Sequence, residues 1–304
     1  EIGSGLVGSE MCIRDRGSNQ WGNLVLLDEA VVYNPSHVLS FFSVFNNDAI
    51  REVNLYKSFF PLKYGGRSSS VIDVRMREGN SKERERSAGL GLIASKVLLE
   101  GPLKKKEGSY LVSGRFGYPG VVAGLLGSNL TSKPQMWFYD VNAKVNRTLD
   151  ARNRMFFSLY SGGDHTVFNK LVKGYGMDWG NATATIRWNH ILNDKTNVNT
   201  SAVFSNYYYK YKSLSDGLRY VWKSNMQSYQ LKSDWERYQN NLLTLKGGVN
   251  LHYFTTMPGE VGKSGKDSNI TPSQMPRKSL WDAALYAEAN YKFLPHFLLN
   301  AGVR

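Results

Sequence analysis

Few residues of this 304-residue chain are spaced for catalysis. Two adjacent carboxylates, Asp28 and Glu29, follow an apolar run. In a strand they would point to opposite faces, so they would not work together as a general acid and base. The chain also has five histidines, none with the spacing of an HExxH zinc helix or another metal-ligand motif. They are His37, His165, His190, His252 and His296.

Other common catalytic motifs are missing from the sequence. It contains no G-x-S-x-G nucleophile elbow and no Walker loop. The run Gly89-Leu90-Gly91 lacks the third glycine and the helix of a dinucleotide site. The single cysteine, Cys12, provides neither a disulfide nor a thiolate metal site. We therefore predict that the protein is not an enzyme and uses no cofactor or metal.

The first quarter of the chain combines strand, turn and helix signals. The apolar run at 24–27 and the alternating run at 71–76 predict two strands. A turn is predicted at Asn34-Pro35, where proline sets φ and the asparagine side chain caps the backbone. Asp48 precedes the sequence AIREV, which predicts a capped helix of one or two turns and then a short strand. We expect a small mixed α/β unit.

Three stretches of this unit carry a family resemblance: LLDEAVVYN, DAIREVNLYK and KYGGRSSSVIDVRMREGN. They resemble the C-terminal half of the plug domain of TonB-dependent outer-membrane receptors, most closely those of the Bacteroidetes type. In such plugs a run of the form (I/L)xxVEVxKG…YG…(V)I(N/D)V leads into the first barrel strand. Ser58 stands where a glycine is common. The resemblance implies a plug that fills the lumen of a large transmembrane β-barrel.

Beyond Asn80, apolar and polar residues alternate over long runs. The run at 182–189 puts alanine, isoleucine and tryptophan on one face, and threonine and arginine on the other. The runs at 243–253 and 282–293 alternate in the same way. A tilted strand needs about 9 to 11 residues to cross a bilayer, and these runs are long enough. The mean hydropathy of −0.39 is typical of a soluble protein but does not exclude a membrane barrel, because lipid-facing and lumen-facing residues alternate there.

Short and long connections also alternate, as in outer-membrane barrels. The long, Gly/Ser/Lys-rich loops are predicted near 119–134, 165–177, 213–219 and 258–278. The resulting ten strands pair as 88–100/108–118, 136–149/154–163, 178–191/196–211, 220–238/242–256 and 280–294/297–304. The runs at 88–100 and 221–238 alternate poorly, so the sequence does not assign their faces.

Aromatic residues cluster at the ends of the predicted strands, where the rings of a membrane barrel form two girdles. A soluble β-sandwich with an aromatic core does not predict this placement. At the long-loop end they are Trp137, Phe138, Tyr139, Trp179, Tyr207, Tyr208, Tyr209, Tyr220, Trp222, Tyr253 and Trp281. At the tight-turn end they are Trp188, Trp235, Tyr238, Tyr291 and Phe297.

These observations divide the chain into three parts. Residues 1–16 share no periodicity with the rest and resemble translated sequencing-adapter read-through, so we leave them out of the fold. Residues 17–80 are predicted to be the C-terminal part of a plug, and 81–304 the N-terminal part of a transmembrane antiparallel β-barrel. Plugged barrels of this family have about 22 strands. We therefore expect a fragment, which on its own would aggregate because its sheet edges are unpaired.

The resemblance implies energised uptake of a scarce ligand: a ferric siderophore, a vitamin or an oligosaccharide. The TonB complex would act through the missing N-terminal part of the plug. Outer-membrane lipid and lipopolysaccharide would surround the barrel, and glycan uptake would add a surface lipoprotein. The net charge of +13 is spread over strands and loops, so we predict no nucleic-acid partner. A non-transporting outer-membrane barrel or adhesin and a soluble β-rich binding module remain alternatives.

Two groups of residues are candidate site residues. Polar plug–barrel contacts are expected from Arg51, Arg67, Asp73 and Arg75, with Arg67 tying the YGGR turn to the barrel wall. Their partners would be lumen-directed: Lys144, Arg187, Lys246, Glu288 and Lys292. Tyr33, Asn34 and His37 flank a plug turn that could face the ligand, and Trp137 and Trp179 could stack on sugar or siderophore rings.

Overall fold

The computed structural model contains a small inner sheet and a large outer sheet. It describes residues 22–57, 61–66, 69–103, 107–126, 135–168, 174–213, 219–265, 268, 270–294 and 297–304. Residues 1–16 and Arg67 lie outside the described residues. We call the part up to residue 80 the plug and the large sheet the wall.

The plug contains six short strands. They are β1 (Leu24–Leu27), β2 (Ala30–Val31), β3 (Ser36–His37), β4 (Phe42–Ser43), β5 (Ile50–Tyr56) and β6 (Val71–Met76). A four-stranded plug sheet has the order β2–β1–β6–β5, in which β1 and β6 run parallel and the outer strands antiparallel. Strands β3 and β4 form a separate hairpin. The apolar runs predicted as β1 and β6 lie at the centre of the sheet, where both faces are covered.

The predicted helix after Asp48 is wrong. Residues Asn47–Ala49 form a single 3₁₀ turn, and the side chain of Asn46, rather than that of Asp48, caps it by accepting the Asp48 N–H at 3.2 Å. The chain then enters β5 directly. Ile50 and Val53 pack against the plug core, and their β-branched side chains favour strand over helix.

The wall is an antiparallel sheet in which strands that follow each other in the chain are neighbours, except that β17 pairs with β15 rather than with the short β16. Its first part contains β7 (Glu85–Leu90), β8 (Ala94–Pro102), β9 (Gly108–Gly117), β10 (Gln135–Thr148), β11 (Asn153–Phe168) and β12 (Tyr175–Asn193). Its second part contains β13 (Thr196–Ser213), β14 (Tyr220–Tyr238), β15 (Leu243–Lys263), β16 (Ser273–Gln274), β17 (Lys278–Leu294) and β18 (Phe297–Val303). The short β16 pairs only with β15.

The mainly antiparallel β architecture is confirmed, with three differences in detail. The single strand predicted at 88–100 is a hairpin, β7–β8. Strand extensions shorten the predicted loops at 165–177 and 258–278, because β11 runs to Phe168, β12 begins at Tyr175 and β15 runs to Lys263. The loop predicted at 119–134 begins with the helix α1 (Pro119–Leu126). A β-bulge interrupts the pairing of β14 with β15, where Pro258 and Gly259 lie opposite Ser224.

The two faces of the wall differ in chemistry. Outward side chains are apolar and exposed, as in Leu285, whose exposed fraction is 71%. An outward row of rings crosses four strands through Phe204, Tyr229, Tyr253 and Trp281, with centroids 4.7–6.3 Å apart. The inward face meets the plug and is polar. Among the described residues, no helix is both long and apolar enough to cross a membrane.

The predicted aromatic girdle at the long-loop end is wrong for six of its eleven members. The register places six of its members on the inward face, because they alternate with outward neighbours on the same strands. Clustering at strand ends does not distinguish the two faces. The inward members are Phe138, Trp179, Tyr207, Tyr209, Tyr220 and Trp222.

Candidate functional site: the plug–wall interface

The turn between β1 and β2 carries two buried carboxylates into the wall. Leu27 pairs with Ala30, so Asp28 and Glu29 form a two-residue hairpin turn. Both have positive φ, 44° and 79°. Such turns favour Asn-Gly or Asp-Gly, because glycine adopts this backbone without strain. We call these two residues the acidic tip.

Asp28 is held by the wall and by the plug. Its carboxylate lies 2.9 Å from Lys144 Nζ and accepts a 2.7 Å hydrogen bond from Ser158 Oγ. It also accepts the backbone N–H of Met76 at 3.2 Å. Asp28 and Lys144 are both almost fully buried. A buried pair of this kind is costly to break, since removing one partner leaves an uncompensated charge.

Glu29 is surrounded by three cations. Its carboxylate lies 2.9 Å from Lys232 and 3.4 Å from Arg187, both on the wall, and 3.1 Å from Arg75 of the plug. Burial alone would raise the pKa of Glu29, but Lys232, Arg75 and Arg187 more than reverse this effect. The pKa is held well below its usual value, so the carboxylate remains charged at neutral pH.

The hairpin of β3 and β4 meets the wall with the charges reversed, because a plug histidine faces two wall carboxylates. His37 Nε2 lies 2.7 Å from Asp140 and Nδ1 lies 2.6 Å from Asp164, both on the wall. Because each ring nitrogen faces a carboxylate, the arrangement favours the doubly protonated imidazolium. Burial would lower the pKa of His37, but the hydrogen bonds to the two aspartates outweigh it and raise the pKa above 6.5. We call His37 and the following residues 38–41 the histidine tip.

The surroundings of the histidine tip complete its hydrogen bonding. Arg115 donates to Asp140 at 2.7 Å and to the backbone oxygen of Ser43 at 2.5 Å. Tyr160 donates its hydroxyl to the same aspartate at 3.0 Å. The backbone N–H of Val38 donates to Asp164 at 2.8 Å. Two cations therefore face two carboxylates in a closed, buried network.

Neutral contacts lie between the two tips. The side-chain amide of Asn181 accepts the N–H of Tyr33 at 3.1 Å and donates to the oxygen of Asn34 at 2.7 Å. Trp179 donates its indole N–H to the oxygen of Ser36 at 3.4 Å. These bonds position the predicted plug turn against β12.

A further contact lies where the plug continues into the wall. Glu78 forms a 2.7 Å ion pair with Arg154, and its backbone oxygen accepts bonds from Ser109 and Asn146. Arg77 pairs with the buried Glu100 at 2.7 Å. This segment is thus anchored to the wall independently of the two tips.

The plug residues that were predicted to contact the wall pair mainly with other plug residues. Arg75 and Asp73 pair with each other at 3.0 Å inside the plug, and Arg75 reaches the wall only through Glu29. Arg51 pairs with Glu52 and with Glu78, at 3.1 and 3.5 Å.

Of the predicted lumen-directed partners, Lys144, Arg187 and Glu288 touch the plug, the last by accepting the N–H of Leu62 at 3.2 Å. Lys246 pairs instead with Glu236 at 3.2 Å, and Lys292 is exposed.

The predicted ligand-facing residues are placed differently from one another. His37 and Trp179 are buried between plug and wall, and Asn34 is bonded to Asn181. Tyr33 remains partly exposed, beside the rings of Tyr207 and Phe254 on the wall. Trp137 lies on the outward face, stacked on Phe116 and His165.

Sequence reasoning missed the acidic tip. The sequence argument considered the two carboxylates only as strand residues that point to opposite faces, whereas they form a turn that orients both toward wall cations. A two-residue gap between the apolar runs 24–27 and 30–32 was the available signal, weakened by a glutamate at a position that favours glycine.

The interface is suited to reversible holding rather than to bond chemistry. Leu98 and Leu111 of the wall join the apolar core of the plug, and the remaining contacts are ion pairs and hydrogen bonds, which can be exchanged for water one by one. No group of three or more His, Cys, Asp or Glu side chains placed to hold a metal ion occurs in the described part of the chain.

The sequence matches no protein-family model and no curated protein. Solved structures do match. The pyoverdine-bound FpvA of Pseudomonas aeruginosa has a TM-score of 0.69 at 11% identity, covering 92% of this chain and 44% of that one. The outer-membrane transporter YddB of Escherichia coli has a TM-score of 0.65 at 12% identity, covering 94% and 48%. BauA, the ferric preacinetobactin receptor of Acinetobacter baumannii, has a TM-score of 0.63 at 10% identity, covering 92% and 52%. The chain has their plug-and-barrel fold and spans about half their length.

Proposed function

We propose that this chain is part of a TonB-dependent outer-membrane receptor that imports a scarce ligand. The plug fills the lumen, and the wall is the first part of a transmembrane barrel. Transport requires the plug to rearrange under a pull from the TonB complex, which would act on a segment N-terminal to the plug. The ligand is a small molecule or an oligosaccharide.

One observation carries this proposal: the inward face of the wall is charge-complementary to a small sheet packed against it. A structural barrel or an adhesin does not need a separate buried unit in its lumen. A soluble module does not need the exposed apolar outer face, of which Leu285 is an example. The plug explains the first feature, and lipid around the barrel explains the second.

The solved structures that share this fold support the proposal, since they include an outer-membrane transporter, a ferric preacinetobactin receptor and the siderophore receptor PirA of Pseudomonas aeruginosa. They agree with the prediction that the chain is not an enzyme. We propose lipopolysaccharide and a surface lipoprotein as additional partners. We also propose that the receptor is of the Bacteroidetes type.

The decisive experiment is to read the complete gene and express its product. A signal peptide, a TonB box and about a dozen further amphipathic strands would support the receptor. The product should then be found in outer membranes, and deleting the TonB box should abolish import while leaving the barrel folded. A membrane barrel without a TonB box would indicate the non-transporting class. A product in the soluble fraction would indicate the binding module.

A further inference from the structure

The wall strands extend beyond the plug at the long-loop end, and there the inner face is aromatic. The register places Trp222 opposite Tyr211 on the same face as Tyr207. Tyr207 contacts the plug residue Tyr33, with centroids 6.4 Å apart, so this face points into the lumen. We call it the tyrosine face. Its members are Tyr175, Tyr207, Tyr209, Tyr211, Tyr220 and Trp222.

Charged residues at the same height point outward. Lys210 pairs with Asp178 at 3.3 Å, and Lys223 pairs with Glu260 at 3.7 Å. All four alternate with members of the tyrosine face or their inward neighbours. Between the level of Asp164 and the long loops, none of the described residues on the inner face of β11 to β14 is charged. In the described parts of β11 to β14, the charges at this height therefore face away from the lumen, and on β15 Lys263 pairs with Tyr220 and shares its face.

The rings are held in place by one another. Phe168 lies 5.1 Å from Tyr175, which lies 6.2 Å from Tyr211, which lies 6.0 Å from Tyr220, all measured between centroids. This row crosses four strands, a distance of about 14 Å at the usual strand spacing. The members are only partly covered, and Trp222 is 39% exposed. A preformed and accessible aromatic row is a binding surface with little ordering left to do.

We infer that the tyrosine face binds a neutral oligosaccharide, an inference that rests on the proposed receptor function. A sugar ring has an apolar C–H face and a rim of hydroxyls. Tyrosine offers an apolar ring and a hydroxyl that donates and accepts, at a low cost in side-chain entropy. A row of about 14 Å suits several linked rings. An anionic ferric chelate would instead require a cluster of cations here, because a charge moved out of water needs partners, and Lys263 beside Tyr220 is a single cation.

The test uses the complete gene product purified in detergent and an array of neutral oligosaccharides, with a ferric tris-catecholate as the anionic probe. The inward variant is Tyr211→Ala with Trp222→Ala. The matched control is Tyr208→Ala, because Tyr208 lies on the same strand but faces outward. We expect binding of at least one neutral oligosaccharide, weakened by about tenfold or more in the inward variant and unchanged in the control.

Three outcomes would overturn the inference: no neutral oligosaccharide bound at millimolar concentration, binding of the ferric catecholate alone, or equal losses in the inward variant and the control. Thermal unfolding of each variant separates lost binding from lost folding. Failure of the receptor function has a different signature, because it would appear as a missing TonB box or a protein outside the outer membrane.

Discussion

The acidic tip and the histidine tip hold the same plug with opposite charges. At the first, plug carboxylates enter a group of wall cations; at the second, a plug cation enters a pair of wall carboxylates. Both tips have left-handed backbone at residues other than glycine: Asp28 and Glu29 in one, residues 38–40 in the other. Such backbone persists only where surrounding contacts hold it; here they include the ion pairs of Asp28 and Glu29 and the hydrogen bond from the Val38 N–H to Asp164.

The difference gives the two tips opposite responses to pH. Glu29 has a lowered pKa, so its contribution is present above its unfolded-state pKa and is lost as the pH falls through the folded value. His37 has a raised pKa, so its contribution is complete below about pH 6.5 and is lost as the pH rises through the folded value. Acid therefore removes the contribution of Glu29, and base removes that of His37.

The strongest test of the comparison is to remove the wall cation that faces Asp28. Lys144→Met keeps the volume and leaves a buried carboxylate unpaired, which should destabilise the complete protein by about 3–5 kcal/mol. Urea unfolding in detergent micelles measures this. The matched control is Lys223→Met, which breaks an exposed 3.7 Å pair and should cost at most about 1 kcal/mol. Equal losses would mean that the buried pair has no special role.

The second test concerns pH at the histidine tip. Above neutral pH, loss of a proton from His37 should remove one charge-assisted hydrogen bond, worth about 1.5–3 kcal/mol. Hydrogen exchange at the Val38 amide, which donates to Asp164, should therefore accelerate as the pH rises, beyond the intrinsic rate. In His37→Gln the extra acceleration should disappear. Arg115 and Tyr160 face the same network, so a response that survives this substitution would assign the titration to them.

A third test separates strain from charge at the acidic tip. Glu29→Ala and Glu29→Gly both remove the carboxylate, but only glycine adopts a φ of 79° without steric strain. The glycine variant should be the more stable of the two by about 1 kcal/mol, and both should be less stable than the parent protein. If alanine and glycine are equivalent, the turn is not strained.

The smallest effect is expected outside both tips. Arg51 is half exposed and pairs with Glu52 and Glu78. Because water screens such pairs, Arg51→Ala should change the unfolding free energy by less than about 1 kcal/mol. If Arg51→Ala lowers the unfolding free energy as much as Lys144→Met does, this surface is the main anchor of the plug.

Much of the fold follows from local patterns. A continuous apolar run predicted the central strand β1, and alternation of apolar and polar residues predicted β6 and most of the wall. The helix after Asp48 was not correct, since a cap signal is weak evidence when β-branched residues follow it. The strand extensions near 168 and 175 were missed because their glycine- and lysine-rich surroundings resemble loop sequence.

The site was less predictable than the fold. His37 meets carboxylates 103 and 127 residues away, so nothing near it in the sequence indicates its role. The inward position of Tyr209 and the outward position of Tyr208 depend on register, which is clear only once neighbouring strands are paired. Charge partners across an interface are determined by the assembled fold.

The parallel pairing of β1 and β6 has a mechanical consequence. Four residue pairs join the two strands, from Leu24 with Val71 to Leu27 with Val74. The chain leaves β6 at its C-terminal end for the wall, so a pull on the N-terminal side of Leu24 draws the strands past each other along their axes. All the hydrogen bonds of the pair are then loaded together in shear, instead of opening one after another as in an unzipped hairpin. The plug sheet should withstand such a force, so traction would dislodge it as a unit or break its hold on the wall first.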